Sequence, residues 1–141
     1  SIQTLVDHVI GNIQSDGLKT PFEKTVLVGD RDRITLIFNS PGESTDPHWH
    51  LEFDEWWIVL AGKLAWATTE APTHPTFDQG WEYSRDIVEQ GQLIYVPRHF
   101  KHSITNVGDT PSCRMAIATP KAPHIWEKRW VGDDLDEFLP G

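Results

Sequence analysis

Gly42-Glu43-Ser44-Thr45-Asp46-Pro47-His48-Trp49-His50-Leu51-Glu52-Phe53-Asp54-Glu55 carries two histidines two positions apart and a glutamate five residues beyond the second. On an extended strand, residues two apart share a face. His48 and His50 therefore present their imidazoles side by side, with Trp49 facing the other way. A turn after His50 brings Glu55 back alongside them on the neighbouring strand. Two imidazoles and one carboxylate on one face form a ligand set for a first-row divalent metal. The set needs a further donor, which the chain offers downstream.

Outward from this stretch the chain reads as β from Phe22 to Thr119. Candidate strands are Thr25–Val28, Arg33–Asn39, His48–Leu51, Glu55–Leu60, Lys63–Thr68, Gln92–Val96, His102–Asn106 and Ser112–Thr119. They are filled by Val, Ile, Leu, Thr and aromatic residues and separated by Gly and Pro. Short apolar runs divided by turn residues are the signature of an all-β sandwich or barrel. Before them, Ile2, Leu5, Val6, Val9, Ile10 and Ile13 follow the i, i+3, i+4, i+7 spacing of an amphipathic helix within residues 1–17, which Gly17 ends. Residues 71–84 form a longer connection that could close over an opening, and the tail 123–141 is partly helical. No linker divides the 141 residues, so a single domain spanning 1–141, with a barrel core over 22–119, is expected.

Bulk properties exclude some functions. The net charge of −9 argues against nucleic acid and against an anionic membrane as partners. No apolar run reaches the roughly 20 residues that span a bilayer. A cytoplasmic protein is expected, because no signal-peptide pattern is read at the start of this sequence and the single cysteine, Cys113, can form no internal disulfide.

The second informative stretch is Gly91-Gln92-Leu93-Ile94-Tyr95-Val96-Pro97-Arg98-His99-Phe100-Lys101-His102-Ser103-Ile104-Thr105-Asn106. A glycine starts a strand, a proline ends it at a turn, and His102 sits on the return strand. Together the two stretches resemble the paired signature motifs of the cupin superfamily. Gly42, His48, His50, Glu55 and Gly62 keep every spacing of the first motif, and Gly91, Pro97, His102 and Asn106 match the second. His99 stands where the family has glycine. The resemblance implies a single-domain, all-β jelly-roll barrel of cupin type. It also implies one divalent metal per chain held by His48, His50, Glu55 and His102. Three imidazoles and a carboxylate suit Fe(II), ranked first here, and equally Mn(II), Ni(II), Zn(II) or Cu(II). Four protein ligands on a six-coordinate ion leave about two positions for water, substrate or dioxygen.

Strand parity extends the reading to the pocket. If Glu55 points inward, Trp57 and Val59 do too, while Trp56, Ile58 and Leu60 point outward and need cover from the helix or a second subunit. With His102 inward, Phe100, Ile104 and Asn106 share its side, Asn106 in a structural role at the turn. His99, Tyr95 and Arg114 are candidate catalytic residues, and Arg33, Tyr95, Arg98 and Arg114 are candidates for gripping an anionic or carbonyl substrate. Trp66 and Trp81 are placed at the mouth or in the core.

The resulting expectation is a mononuclear metal-dependent enzyme acting on a small organic molecule. Oxygenase chemistry on an enol, diketone or phenolic substrate ranks first. Isomerase, lyase or decarboxylase chemistry follows, and a non-enzymatic metal or small-ligand binding domain is the third reading. A homodimer is the assembly that the resemblance implies.

Overall fold

The computed structural model describes residues 1–70, 84–120 and 125–126 of the chain. Its elements run α1 (Ile2–Ser15), β1 (Phe22–Val28), β2 (Arg33–Asn39), β3 (His48–Trp49), β4 (Glu55–Ala61), β5 (Lys63–Glu70), β6 (Ser84–Glu89), β7 (Leu93–Val96), β8 (Phe100–Asn106), β9 (Ser112–Ala118) and β10 (Ile125–Trp126). The strands form two five-stranded antiparallel sheets, ordered β1-β2-β9-β4-β7 and β10-β3-β8-β5-β6. This is the expected all-β architecture with one N-terminal helix.

Two strands were not legible in the sequence. In β6, the charges of Arg85, Asp86 and Glu89 break up a short apolar pair, and its Ile87 is half exposed at the edge of the sheet. β10 is two residues long and pairs with β3. Trp81, most of the 71–84 connection and the expected helical part of the tail lie outside the described residues.

Side-chain alternation divides the first sheet into two faces. Along β4, Glu55, Trp57 and Val59 are buried inward while Trp56 is exposed, as parity requires. Inward residues Trp57, Val59, Leu64, Trp66, Ile94, Val96, Ile104 and Ala116 build the apolar core between the sheets. A second cluster lies on the opposite face of the first sheet. There Val6 and Val9 of α1 pack on Leu36, Phe38 and Cys113, with Leu60 and Met115 at its margin. The helix is capped by Ser1, whose Oγ accepts from the Thr4 backbone N–H at 3.2 Å.

α1 covers only part of that outer face. Strand pairing aligns Leu27, Ile34, Ile117, Trp56 and Tyr95 in one row across all five strands. Leu27 is 52% exposed, Trp56 42% and Tyr95 47%. Trp56 and Tyr95 contact each other there, with ring centroids 4.6 Å apart.

The turn from the first sheet to the second depends on Gly62, between β4 and β5. Its φ is +88°, and a Cβ there would lie 3.0 Å from both Cα and Cβ of Ser112. Gly62→Ala combines a disfavoured backbone conformation with a backbone clash and is expected to cost about 2–3 kcal/mol. Urea denaturation checks this, and a midpoint equal to that of the parent would refute it.

Candidate metal centre

The short strand β3 places His48 directly opposite His102 of β8, so the two motifs meet through one cross-strand pair. The ring centroids of His48 and His102 are 4.2 Å apart, and those of His50 and His102 are 5.1 Å apart. All three side chains are buried. Each ring is oriented by its own local backbone. Nδ1 of His48 donates to the Asp46 carbonyl at 2.8 Å, that of His50 to the Phe53 carbonyl at 2.8 Å, and that of His102 to the Phe100 carbonyl at 2.9 Å. A carbonyl oxygen only accepts, so each Nδ1 carries the proton. In the neutral ring the lone pair then belongs to Nε2. Such outer hydrogen bonds fix the tautomer and orientation of a ligating imidazole.

Aromatic neighbours hold the rings in place. Phe53 stacks on His50 at 4.0 Å, while Trp57 and Trp66 approach His102 at 5.7 and 5.3 Å. Trp66 thus belongs to the packed core beside His102. His99 sits in the turn between β7 and β8 with φ of 72°, the left-handed region used by the glycine it replaces. Histidine is one of the side chains enriched there. Its side chain is exposed, and its backbone N–H donates to the His50 carbonyl at 2.8 Å, tying this turn to the first motif.

Glu55 opens β4 and is buried, with its Oε1 accepting from the Trp57 indole N–H. Burial pushes its carboxyl up to about 7, against the smaller opposing pull of the indole hydrogen bond and the Arg114 and Arg33 charges. The sign follows from linkage. A carboxyl raised from 4.5 to about 7 favours the folded state fully below pH 4.5, and that contribution is lost as pH rises through 7. Relative to the parent, the neutral isostere Glu55→Gln should therefore stabilise the metal-free chain by about 3 kcal/mol at pH 8 and little at pH 5. Thermal unfolding of both proteins across that range tests it, and equal stability at pH 8 contradicts the reading.

A cavity of about 540 Å³ opens beside these groups, with Arg33, Thr35, Asn39, Glu43, His48, Glu55, Trp57, Arg114, Ala116 and Ala118 in its wall. The register explains the space. Ala118 lies between Arg33 and the end of β4, and Ala116 lies between Thr35 and Trp57. Small residues on the middle strand leave a trough between larger inward side chains. Arg114, on the same face of β9, is buried. Its Nη1 donates to Asn39 Oδ1 at 2.7 Å, and its guanidinium lies 4.8 Å from the Trp57 ring centroid. Desolvation lowers its pKa to about 10, so it remains a cation near neutrality.

The sequence-derived pocket residues separate in three dimensions. Trp57, Arg33 and Arg114 line the cavity. Val59 and Ile104 point inward but are consumed by the apolar core, and Phe100 is half buried away from the cavity wall. Asn106 donates from Nδ2 to the Asn39 and Thr110 carbonyls and accepts from the Gly108 N–H, a structural role at the turn. Tyr95 lies on the outer face against Trp56, and Arg98 pairs with Asp54 at the surface. Outward placement removes both from the cavity. Asn39 and Thr35 were missed, although their even spacing from Arg33 and Ile37 carries the signal.

The donor chemistry fits one divalent cation: three imidazoles with Nε2 lone pairs, and a carboxylate with one oxygen held by an indole N–H. In this structure the side chains are not drawn around a common point. Among the described residues, no three His, Cys, Asp or Glu side chains converge closely enough to share one ion.

No curated protein matches this sequence. Among solved structures, the fold is similar to capsular polysaccharide assembling protein CapF from Staphylococcus aureus, with TM-score 0.60 and 19% identity over 72% of this chain and 29% of that one. It is similar to an S161A mutant of Bacillus subtilis oxalate decarboxylase OxdC, with TM-score 0.60 and 22% identity over 72% of this chain and 25% of that one. The present chain therefore spans between a quarter and a third of those two proteins. A protein of comparable length, BH2720 from Bacillus halodurans, gives TM-score 0.60 and 20% identity over 77% of this chain and 78% of that one. A cupin family profile matches residues 34–138, which is most of the sequence and includes both histidine stretches. The chain belongs to the cupin family.

Proposed function

We propose that this cupin is a metal-dependent enzyme acting on a small organic molecule, with His48, His50, Glu55 and His102 holding one divalent ion. The observation that carries the reading is the set of three buried histidines, each donating from Nδ1 to a backbone carbonyl, beside a 540 Å³ cavity. Fe(II) is the first choice of ion, with Mn(II), Ni(II), Zn(II) and Cu(II) compatible with the same donors. When bound, the ion supplies Lewis acidity and, for iron, a centre for dioxygen chemistry. The chain's own residues orient the site. The three backbone carbonyls hold the imidazole tautomers, the Trp57 indole holds one Glu55 oxygen, and Trp57 with Trp66 keeps bulk water from His102.

An oxygenase reaction on an enol, diketone or phenolic substrate is the reaction class of this proposal. The aromatic wall supplied by Trp57 favours such planar molecules over free sugars. A decarboxylase, isomerase or lyase reaction is the second reading, supported by the oxalate decarboxylase among its fold neighbours. Purification without chelators, elemental analysis and oxygen uptake with diketones, catechols and gentisate-like acids discriminate between them. Stoichiometric iron with substrate-dependent oxygen consumption supports the first. A retained ion with no oxygen consumption and with substrate turnover supports the second.

The assembly of this proposal is a homodimer formed through the apolar row Leu27, Ile34, Ile117, Trp56 and Tyr95. Two such rows bury each other's exposed aromatic surface. Trp56→Glu should convert dimers to monomers in analytical ultracentrifugation. A monomeric parent protein would rule the assembly out.

A further inference from the structure

Ala116 stands where the apolar core ends and the cavity begins. The core is built by β4, β5, β7 and β8, and among its buried members only Ala116 belongs to β9. Ala116 and Trp57 are also the two buried core members that line the 540 Å³ cavity. Strand register sets Ala116 between Thr35 of β2 and Trp57 of β4. Strands two apart in a sheet lie about 10 Å from each other, so a single methyl group between those larger side chains leaves a slot. Ala118, two residues on and on the same face, carries the floor of that slot to Arg33. The slot has a direction. In the cavity wall Pro21, Glu23 and Ser44 are exposed, whereas His48, Glu55 and Trp57 are buried, so it leads inward from a polar rim. Charges along it offset one another: Arg114 is attracted by Glu55 and Glu23, and Arg33 by Glu55. A misfitting ligand is then rejected by steric clash rather than by charge.

We propose that Ala116 is the specificity-determining residue of this cavity, its methyl group setting the clearance between Thr35 and Trp57 that admits flat compounds of up to two fused rings. Neither the floor nor the side of the slot can recede. β9 is paired with β2 on one side and β4 on the other, which fixes the backbone at residue 116. The Trp57 ring is held edge-on by Trp66 at 5.1 Å and covered by the Arg114 guanidinium at 4.8 Å. On its other flank Ala116 meets packed core, and close-packed interiors do not absorb added carbons. Bulk added at residue 116 therefore enters the slot. The cavity volume is in the range of about 300–1,000 Å³ that holds small organic ligands. This inference narrows the substrate class of the function proposed above and rests on that cavity being the substrate site, but the slot itself does not require the metal.

The test is isothermal titration with phenol and 2-naphthol on chelator-treated and on metal-loaded protein. In the parent, 2-naphthol should bind about tenfold tighter than phenol in both preparations, because its second ring is buried in the slot. Ala116→Leu should abolish that preference while changing the affinity for phenol by less than about threefold, with the fold intact by circular dichroism. Ala116→Val adds less bulk, suits a strand and should cut the preference severalfold. A parent without the preference, no measurable binding of either probe, or a folded Ala116→Leu protein with the parent's ratio overturns the inference. Where leucine is not tolerated by the fold, an unchanged ratio in Ala116→Val does so. A ratio that depends on residue 116 in a protein retaining no metal leaves the inference standing and removes the metal-enzyme reading instead.

Discussion

His102→Ala removes the metal. Occupancy measured by elemental analysis should fall from about one ion per chain to less than about a tenth, with affinity reduced by at least about 100-fold, the upper end of what loss of an outer-shell partner alone causes. The size of the effect follows from position. His102 joins the two histidine-bearing stretches: it faces His48 across a strand pair and lies 5.1 Å from His50. Its ring is also packed by Trp57 and Trp66, so truncation opens a void and costs stability of about 2–4 kcal/mol. Metal content must therefore be compared at a temperature where the variant is folded. His8→Ala on the exposed face of α1 is the matched control and should keep the ion. A folded His102→Ala protein that binds metal as tightly as the parent refutes the assigned ligand set.

Trp57→Ala is expected to have the largest effect on folding, about 3–5 kcal/mol. The side chain is 2% exposed and sits at the junction of core and cavity. It packs edge-on against Trp66 at 5.1 Å, donates to Glu55 and covers one face of Arg114. Truncation creates a void and also leaves a buried carboxyl without its indole donor and a buried guanidinium without its ring. Typical domains are stable by only 5–15 kcal/mol, so the variant is expected to be marginal at best. Trp57→Phe keeps most of the packing and loses the N–H, and should cost about 1–2 kcal/mol. Urea unfolding followed by far-ultraviolet circular dichroism measures both. A cost below about 1 kcal/mol for Trp57→Ala would show that the indole is peripheral to the core.

Much of this architecture was readable from local pattern. The alternation Glu55, Trp57, Val59 rests on the two-residue period of a strand, whereas the strand expected over His48–Leu51 ends at Trp49, so that His50 lies just beyond it. Parity correctly put Trp56 on the outer face, and the apolar stripe predicted α1, whose Val6 and Val9 the structure packs on the first sheet. The positive φ of His99 was foreseeable because it occupies a glycine position in a turn. Pocket composition was less legible. Val59, Ile104 and Trp57 all face inward, yet only Trp57 meets open space, because Val59 and Ile104 are filled against by the opposite sheet. Arg114 looked like one of three equivalent arginines along the chain. Two of those, Arg33 and Arg114, fall on inward positions of β2 and β9 beside Ala116 and Ala118, while Arg98 is at the surface beside Asp54.

By itself, the amino-acid sequence determined the β class, the helix, the inward face of each strong strand and the two histidine-bearing stretches. All of these follow from residue periodicity and turn chemistry within a few positions of the residue concerned. Tertiary structure decided which strands pair, and so that His48 stands opposite His102, that alanines of the middle strand leave a trough, and that Arg114 borders it as a buried cation. Those outcomes depend on register between strands separated by tens of residues, where a shift of one position would reverse every face.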